Sequence, residues 1–265
     1  MLTKNSNLLA HTPILPSLGQ PFIVLPLVDS TNNYAMAKIQ AGEATHGSTY
    51  WAMEQVAGKG QRGKTWYTEP GSNIIMSVVI STEQLEISHQ WALSMAVALA
   101  CYDFYKNYGS ADDTRIKWPN DLYWQDRKAG GILIENQISM DLGLPIWKWA
   151  VVGIGINVNQ TSFPGVEKKA VSLRQITGKQ FDPIQLSQEL LSFLTLRFDQ
   201  LNAGELSQLL TDYNNCLYKK GAFVKLKKGP IIFETIVQGV NSRGQLITGE
   251  KGTEAHDWGS IEWVL

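Results

Sequence analysis

GKGQRGKTWYTEPGSN, residues 58–73, is the stretch on which the choice of fold turns. Gly58, Gly60 and Gly63 satisfy the dinucleotide pattern G-x-G-x-x-G, while Gly58, Gly63, Lys64 and Thr65 satisfy the P-loop pattern G-x-x-x-x-G-K-[ST]. Both patterns demand that the glycines close a strand and open a helix, because the phosphate rests on that helix's N-terminus. The strand is there: GSTYWAMEQVA (47–57) is rich in residues that suit a sheet. The helix is not. Pro70 and Gly71 break the chain, and IIMSVVI (74–80) reads as a second strand. Glu83 imitates the ribose-binding acid in its spacing only, since no strand–helix–strand unit surrounds it. The stretch is therefore a glycine-rich cationic loop between two strands. Composition leaves it either a solvated hairpin loop or an anion clamp built on Lys59, Arg62 and Lys64.

Working outward, STNNYAMAKIQAG (30–42) predicts a helix capped by Ser30 or Thr31 and stopped at Gly42. Residues 88–109 form the longest helical pattern, and 182–201 a helix with Asp182 as cap and Pro183 in its first turn. TRIKWPNDLYWQ (114–125) reads as strand, Pro-Asn-Asp turn, strand. Strands follow at 128–139 and 148–160, where Gly153 and Gly155 permit close backbone approach. From about Lys219 short strands alternate with turn signals, the pattern of a small all-β barrel.

The 265 residues suffice for one large or two unequal domains, and 44% apolar with 18% charged residues is an ordinary globular balance. A net charge of −1 argues against a protein that coats nucleic acid. Cys101 and Cys216 lack metal spacing and read as buried free thiols. His11, His46, His89 and His256 show no ligand spacing either. No apolar run spans a membrane, and the first residues lack a signal-peptide core, so the expected location is the cytoplasm.

Polar residues interrupt the apolar strands at Lys117, Asn120 and Asp121, at Lys128, and at Asn157 and Asn159. Each has a plain structural explanation as turn, surface charge or satisfied core amide. Together they are two lysines, several amides and one carboxylate beside a cationic loop, an inventory that suits a phosphate-bearing anion.

In this order and spacing, STNNYA, GKGQRGKTW, RIKWPNDLYWQDRKAGGILIE and GIGINVN strongly resemble the biotin–protein ligases, from about Phe22 to the C-terminus. The resemblance implies an α+β fold: a mixed, largely antiparallel sheet with helices on one side, like the class II synthetases, followed by an SH3-like barrel. The expected domains are 1–217 and 218–265. It implies ATP-dependent formation of biotinyl-5′-adenylate and transfer of biotin to a lysine of a biotin carboxyl carrier protein, with Mg²⁺ accompanying the nucleotide. Lys128, Lys117 and Asp121 are the implied catalytic residues, and Asp121 also a metal ligand. Ser30, Thr31, Asn32, Gln55, Lys59, Gly60, Gln61, Lys128 and Gly131 are the implied biotin contacts. Gly58, Arg62, Gly63, Lys64, Trp66, Asn120 and Asn157 are the implied nucleotide contacts. A lipoate–protein ligase and a non-enzymatic protein-binding barrel are the alternatives. Some members carry an N-terminal DNA-binding domain; the 29 residues before Ser30 are too short for one, so no DNA partner is expected. Monomer and homodimer both stay open. One departure stands out: many relatives have arginine at several loop positions where this chain has Lys59, Gln61 and Lys64.

Overall fold

The computed structural model describes residues 17–164, 166 and 169–264; His11 and the expected absence of a signal segment fall outside them. The elements run β1 (Phe22–Leu25), α1 (Thr31–Gln40), β2 (Thr49–Ala52), β3 (Ile74–Ser81), α2 (Gln90–Gly109), β4 (Thr114–Lys117), β5 (Asp121–Trp124), β6 (Arg127–Asp141) and β7 (Leu144–Ile156). Three helices follow, α3 (Leu173–Thr177), α4 (Pro183–Asn202) and α5 (Leu206–Asn215). The chain ends in β8 (Phe223–Lys228), β9 (Ile231–Val240), β10 (Leu246–Thr248), β11 (Glu254–His256) and β12 (Glu262–Val264).

Strands β1 to β7 form one sheet in the order β1-β2-β3-β7-β6-β5-β4, in which only β1–β2 is parallel. Strands β8 to β12 form a second, wholly antiparallel sheet. The mixed fold with a small β unit at its end is as expected. The placement of helices is not. α2 and α4 bury Leu93, Val97, Leu190 and Leu194 against Val78, Ile80, Val152 and Ile154 on one sheet face. α1 packs Ala35 and Ile39 against Tyr50, Val79 and Val151 on the other. The period of two along a strand is the reason: alternate residues of β3 and β7 are apolar on both sides, so each face needs a cover.

Strand β6 runs two residues past the end of its sequence pattern and β7 starts four residues before its own, so the two form a long hairpin in which Ile138, Met140, Leu144 and Ile146 keep pairing although they are exposed. α4 is capped as read, with Asp182 Oδ1 accepting from the backbone N–H groups of Ile184 and Gln185. α3 and α5 go beyond the sequence-based expectations, although both carry local signals: a capping box between Ser172 and Gln175 holds α3, and Leu206, Leu209, Leu210 and Tyr213 line one face of α5. Both cysteines are free and buried, and burial pushes the Cys216 thiol up to about 12. Among the described residues no helix is long and apolar enough to cross a membrane.

The small sheet is tied to the large one by tryptophans. Trp118 Nε1 donates to the Gly244 carbonyl at 2.9 Å, and Trp263 Nε1 donates to the Trp118 carbonyl at 3.2 Å. Gly244 has φ +82° and lies so close to the Trp91 ring that a Cβ there would stand 2.5 Å from it. The small sheet is thereby fixed against the turn that carries Pro119 and Asn120.

Candidate active site

On β7 the sequence VVGIGI alternates, and the residues that face away from α2 are Val151, Gly153 and Gly155. Two glycines in a row on one face leave a shallow floor beside the N-terminus of α1. Asn32 rests over Gly153, where any Cβ would collide with its Oδ1. The Trp66 ring lies over Gly155, whose Cβ would be 2.6 Å from Trp66 Cε2, and over Gly131 of β6.

This floor belongs to a recess of about 50 Å³ lined by Ser30, Thr31, Asn32, Gln55, Lys59, Gly60, Gln61, Lys128 and Gly131, among others. All nine expected biotin contacts therefore meet in one place. Ser30 occupies the N-cap position of α1 but makes no capping hydrogen bond. Thr31 and Asn32 are buried in the first turn and bonded across the sheet rather than along the helix. Gln55 Oε1 accepts from the Thr31 backbone at 2.7 Å and from its hydroxyl at 3.1 Å. Ser77 Oγ lies 2.7 Å from Thr31 Oγ1 and 2.6 Å from Asn32 Oδ1.

A second, outer recess of about 260 Å³ shares Gly60, Gln61, Trp66, Asn120 and Lys128 with the first and adds Arg62, Lys64, Lys117 and Asp121. Strand register brings the charges together. Lys117 and Asp121 are cross-strand partners at the mouth of the β4–β5 turn, and Asp121 pairs in turn with Gly131. Asp121 Oδ1 is 2.6 Å from Lys128 Nζ, and Oδ2 is 3.5 Å from Lys117 Nζ. Lys128 Nζ also stands 5.5 Å from the Trp66 ring centroid. Lys117 lies between the rings of Tyr123 and Trp263, at 5.1 and 5.6 Å. Burial there pushes the Lys117 pKa below its usual range; Asp121 opposes this and Lys128 adds to it. Among the described residues, four cations thus face one recess against the carboxylates of Asp121 and Glu262, an excess that suits a polyphosphate.

The loop between β2 and β3 is a hairpin rather than an open coil. Trp66 N donates to the Gly58 carbonyl at 2.9 Å, and Gly60 N to that of Lys64 at 2.6 Å. Gly58 must be glycine because Trp66's carbonyl fills the place of its Cβ, and Gly63 takes φ +73°. Neither lines a recess. Gln61 Nε2 reaches the Ile132 carbonyl at 3.3 Å, the same oxygen that accepts from Asn120 Nδ2 at 2.5 Å.

Gly58 and Gly63, expected at the nucleotide, therefore shape the hairpin instead, and two further expectations change. Asn157 is buried and lines neither recess; its Nδ2 donates to the Val171 carbonyl at 3.1 Å and, at 3.4 Å, to that of Lys128, so it braces the strand that presents Lys128. The donor set around Asp121 does not fit a protein-held cation. Both its oxygens face ammonium groups, and among the described residues no cluster of three His, Cys, Asp or Glu exists.

Several site residues escaped sequence reasoning. Ser77 is the one polar residue inside IIMSVV, a signal that was available. Glu135 binds Asn32 and Lys59 but begins the polar second half of the 128–139 strand pattern, where a charge is unremarkable. Arg62 donates to the Gly259 carbonyl and pairs with Glu262 at 3.7 Å, so the small sheet supplies a wall of the outer recess together with Trp258 and Trp263.

Residues 24–157, which hold α1, the glycine loop and both lysines, match the Biotin/lipoate A/B protein ligase family. The chain belongs to this family. It is 31% identical over 238 residues to the bifunctional ligase/repressor BirA of Escherichia coli, covering 88% of this chain and 71% of that protein. It is 29% identical over 192 residues to the biotin–[acetyl-CoA-carboxylase] ligase of Mycobacterium tuberculosis, covering 72% of this chain and 68% of that protein. The fold is that of the biotin protein ligase from Aquifex aeolicus solved with biotin and ATP, with TM-score 0.74 and 23% identity over 91% of this chain and 98% of that one.

Proposed function

We propose that the chain is a biotin–protein ligase, which forms biotinyl-5′-adenylate from biotin and ATP and passes the biotinyl group to a lysine of a biotin carboxyl carrier protein. The observation that carries this is the continuity of a hydrogen-bonding recess with a recess of four cations, joined at Lys128. The biotin head lies among Ser30, Thr31, Asn32 and Gln55, with its carboxylate directed to Lys128. The ATP phosphates lie among Arg62, Lys64, Lys117 and Lys128, with Mg²⁺ arriving as part of the nucleotide. A biotin carboxylate oxygen forms a bond to the α-phosphorus, the bond to the bridging oxygen breaks, and pyrophosphate leaves. Two anions must approach, so positioned cations contribute more than any nucleophile of the protein. In the second step the acceptor amine attacks the anhydride carbonyl, AMP leaves and the amine loses a proton. Asp121, pinned between two lysines, acts by orienting them.

The same recess argues against lipoate. A dithiolane ring offers no strong hydrogen-bonding group, so the buried hydroxyls and amides would lose water without gaining partners, at about 1–3 kcal/mol each. The chain divides after Leu217 into a catalytic unit and a small β unit that closes the phosphate side. ATP use and two free buried thiols fit the cytoplasm. Biotin-dependent ATP–pyrophosphate exchange, run beside lipoate, tests the assignment; exchange with lipoate alone reverses it, and exchange with neither removes it.

The depressed Lys117 pKa has a consequence for pH. Lys117 is needed as a cation, so activity falls as pH rises through its lowered pKa, before an ordinary lysine at 10.5 would deprotonate. The sign for stability is opposite: between the lowered pKa and 10.5 the unfolded chain binds more protons, so Lys117's cost to the fold shrinks as pH rises. Lys117→Arg stays charged throughout, and the alkaline limb of the exchange rate is expected to move upward. An unmoved limb assigns it to another group.

Gln61 sits where both recesses meet and spends its amide on the Ile132 carbonyl. An arginine there adds a charged fork toward the phosphate, worth about 1.5–3 kcal/mol against about 1 for a neutral hydrogen bond. Gln61→Arg is expected to slow release of preformed adenylate by up to roughly tenfold in a chase with cold biotin. Release as fast as in the parent protein places position 61 out of reach of the phosphate.

A further inference from the structure

Glu135 is outside every role described so far. It lies on β6 two residues beyond Leu133 and four beyond Gly131, on the face of the sheet that carries the ligand recess. Its Oε2 accepts from Asn32 Nδ2 at 2.7 Å. Its Oε1 is 3.6 Å from Lys59 Nζ on the glycine loop. We infer that Glu135 is a positioning residue that sets the hydrogen-bond polarity of the recess by holding the Asn32 amide in one orientation. This rests on the biotin reading above and names the residue that makes the recess selective for a cyclic urea.

An asparagine amide presents an acceptor on one side and donors on the other, in nearly the same shape, so something must choose between its two orientations. A carboxylate only accepts. Glu135 and the Leu133 carbonyl, 3.3 Å from Nδ2, both demand the nitrogen. Turning the amide over would set Oδ1 against two acceptors. Oδ1 is therefore held on the other side, where Ser77 Oγ meets it at 2.6 Å and one lone pair remains for a ligand N–H. A second amide is fixed in the same way. Gln55 Oε1 is taken by the backbone and hydroxyl donors of Thr31, which leaves Nε2 as the donating side. The recess thus shows an acceptor at Asn32 and a donor at Gln55. A cyclic urea shows N–H donors and a carbonyl acceptor, the complementary set.

The Lys59 contact does not carry this. It is longer and joins two side chains that are 41% and 35% exposed, where ion pairs contribute little. The short bond to Asn32, which is 3% exposed, does.

Equilibrium binding of biotin without ATP, measured on the full chain and on Glu135→Ala, Glu135→Gln, Asn32→Ala and the double alanine variant, tests the inference. Glu135→Ala is expected to weaken biotin roughly ten- to a hundredfold, the range of a lost charge-assisted hydrogen bond. The KM for ATP in pyrophosphate exchange stays within about twofold, because the nucleotide recess is untouched. Since Glu135 acts through Asn32, the double variant binds no more weakly than Asn32→Ala alone. Glu135→Gln keeps an oxygen for Nδ2 and recovers most of the affinity, which a role through the charge on Lys59 would not allow. Additive losses in the double variant, unchanged biotin affinity in Glu135→Ala, or an equal rise in the KM for ATP each overturn the inference. Parent protein that binds no biotin contradicts the ligand reading itself, and that result appears before any substitution is made.

Discussion

Lys128→Ala is expected to lower biotin-dependent ATP–pyrophosphate exchange by roughly 10²- to 10³-fold while the protein stays folded. The ammonium stands where both recesses join, 2.6 Å from Asp121. Among the described residues it is the one cation that lines both recesses. Charge placed against a developing phosphoryl transition state is worth on the order of 3–4 kcal/mol, which sets the size of the loss. The fold should survive, because the side chain is 34% exposed and Asp121 keeps Lys117 as a partner. Removing the cation takes one like charge away from Lys117, so the Lys117 pKa rises, and the residual activity should persist to higher pH. Exchange at the parent rate in a protein with unchanged thermal unfolding would take Lys128 out of the chemistry.

Gly153→Ala is expected to abolish most biotin binding, by about a hundredfold or more. The added methyl group meets Asn32 Oδ1 well inside contact distance. Asn32 has nowhere to retreat, since Ser77, Leu133 and Glu135 hold it on three sides. Overpacking of this kind costs about 1–3 kcal/mol, and a displaced buried amide about 1–3 more. ATP binding should change little, because Gly153 does not line the outer recess. Titration with biotin and with ATP separately checks both halves. Gly153→Ala with full biotin affinity would show that Asn32 is free to move and does not hold the ligand.

Gly155 has a different neighbour. A Cβ there meets the Trp66 ring, the edge of a side chain carried on the glycine loop, rather than an anchored amide. The same one-carbon change is thus expected to displace a wall of the recess in one case and its hydrogen-bonding centre in the other.

Much of the site was legible because it is local. Lys117, Asn120 and Asp121 are one turn; Lys128 and Gly131 are one strand; Ser30, Thr31 and Asn32 are one helix start. Short-range periodicity and turn chemistry place such residues relative to one another without any knowledge of the sheet. The rejection of a phosphate-binding helix after Gly63 was equally local, resting on Pro70, Gly71 and the strand IIMSVVI. Asn157 shows the limit of this reasoning. It follows the floor glycines at the same two-residue spacing, but β7 ends at Ile156, so the pleat no longer sets its direction and its amide turns to the Lys128 and Val171 carbonyls.

By itself, then, the sequence determined the chemistry on offer: which strand carries the glycines, which turns carry the lysines, and that a cationic hairpin rather than a helix stands ready for an anion. Tertiary structure alone decided which distant groups complete the site. Asn32 and Glu135 are 103 residues apart, and Arg62 reaches Gly259 across 197. These contacts depend on β7 running between β3 and β6, on α1 lying over the opposite sheet face from α2, and on the Trp118–Gly244 bond that seats the small sheet. Spacing along a chain encodes the faces of each element, but the pairing of faces is chosen by the whole set of buried surfaces at once.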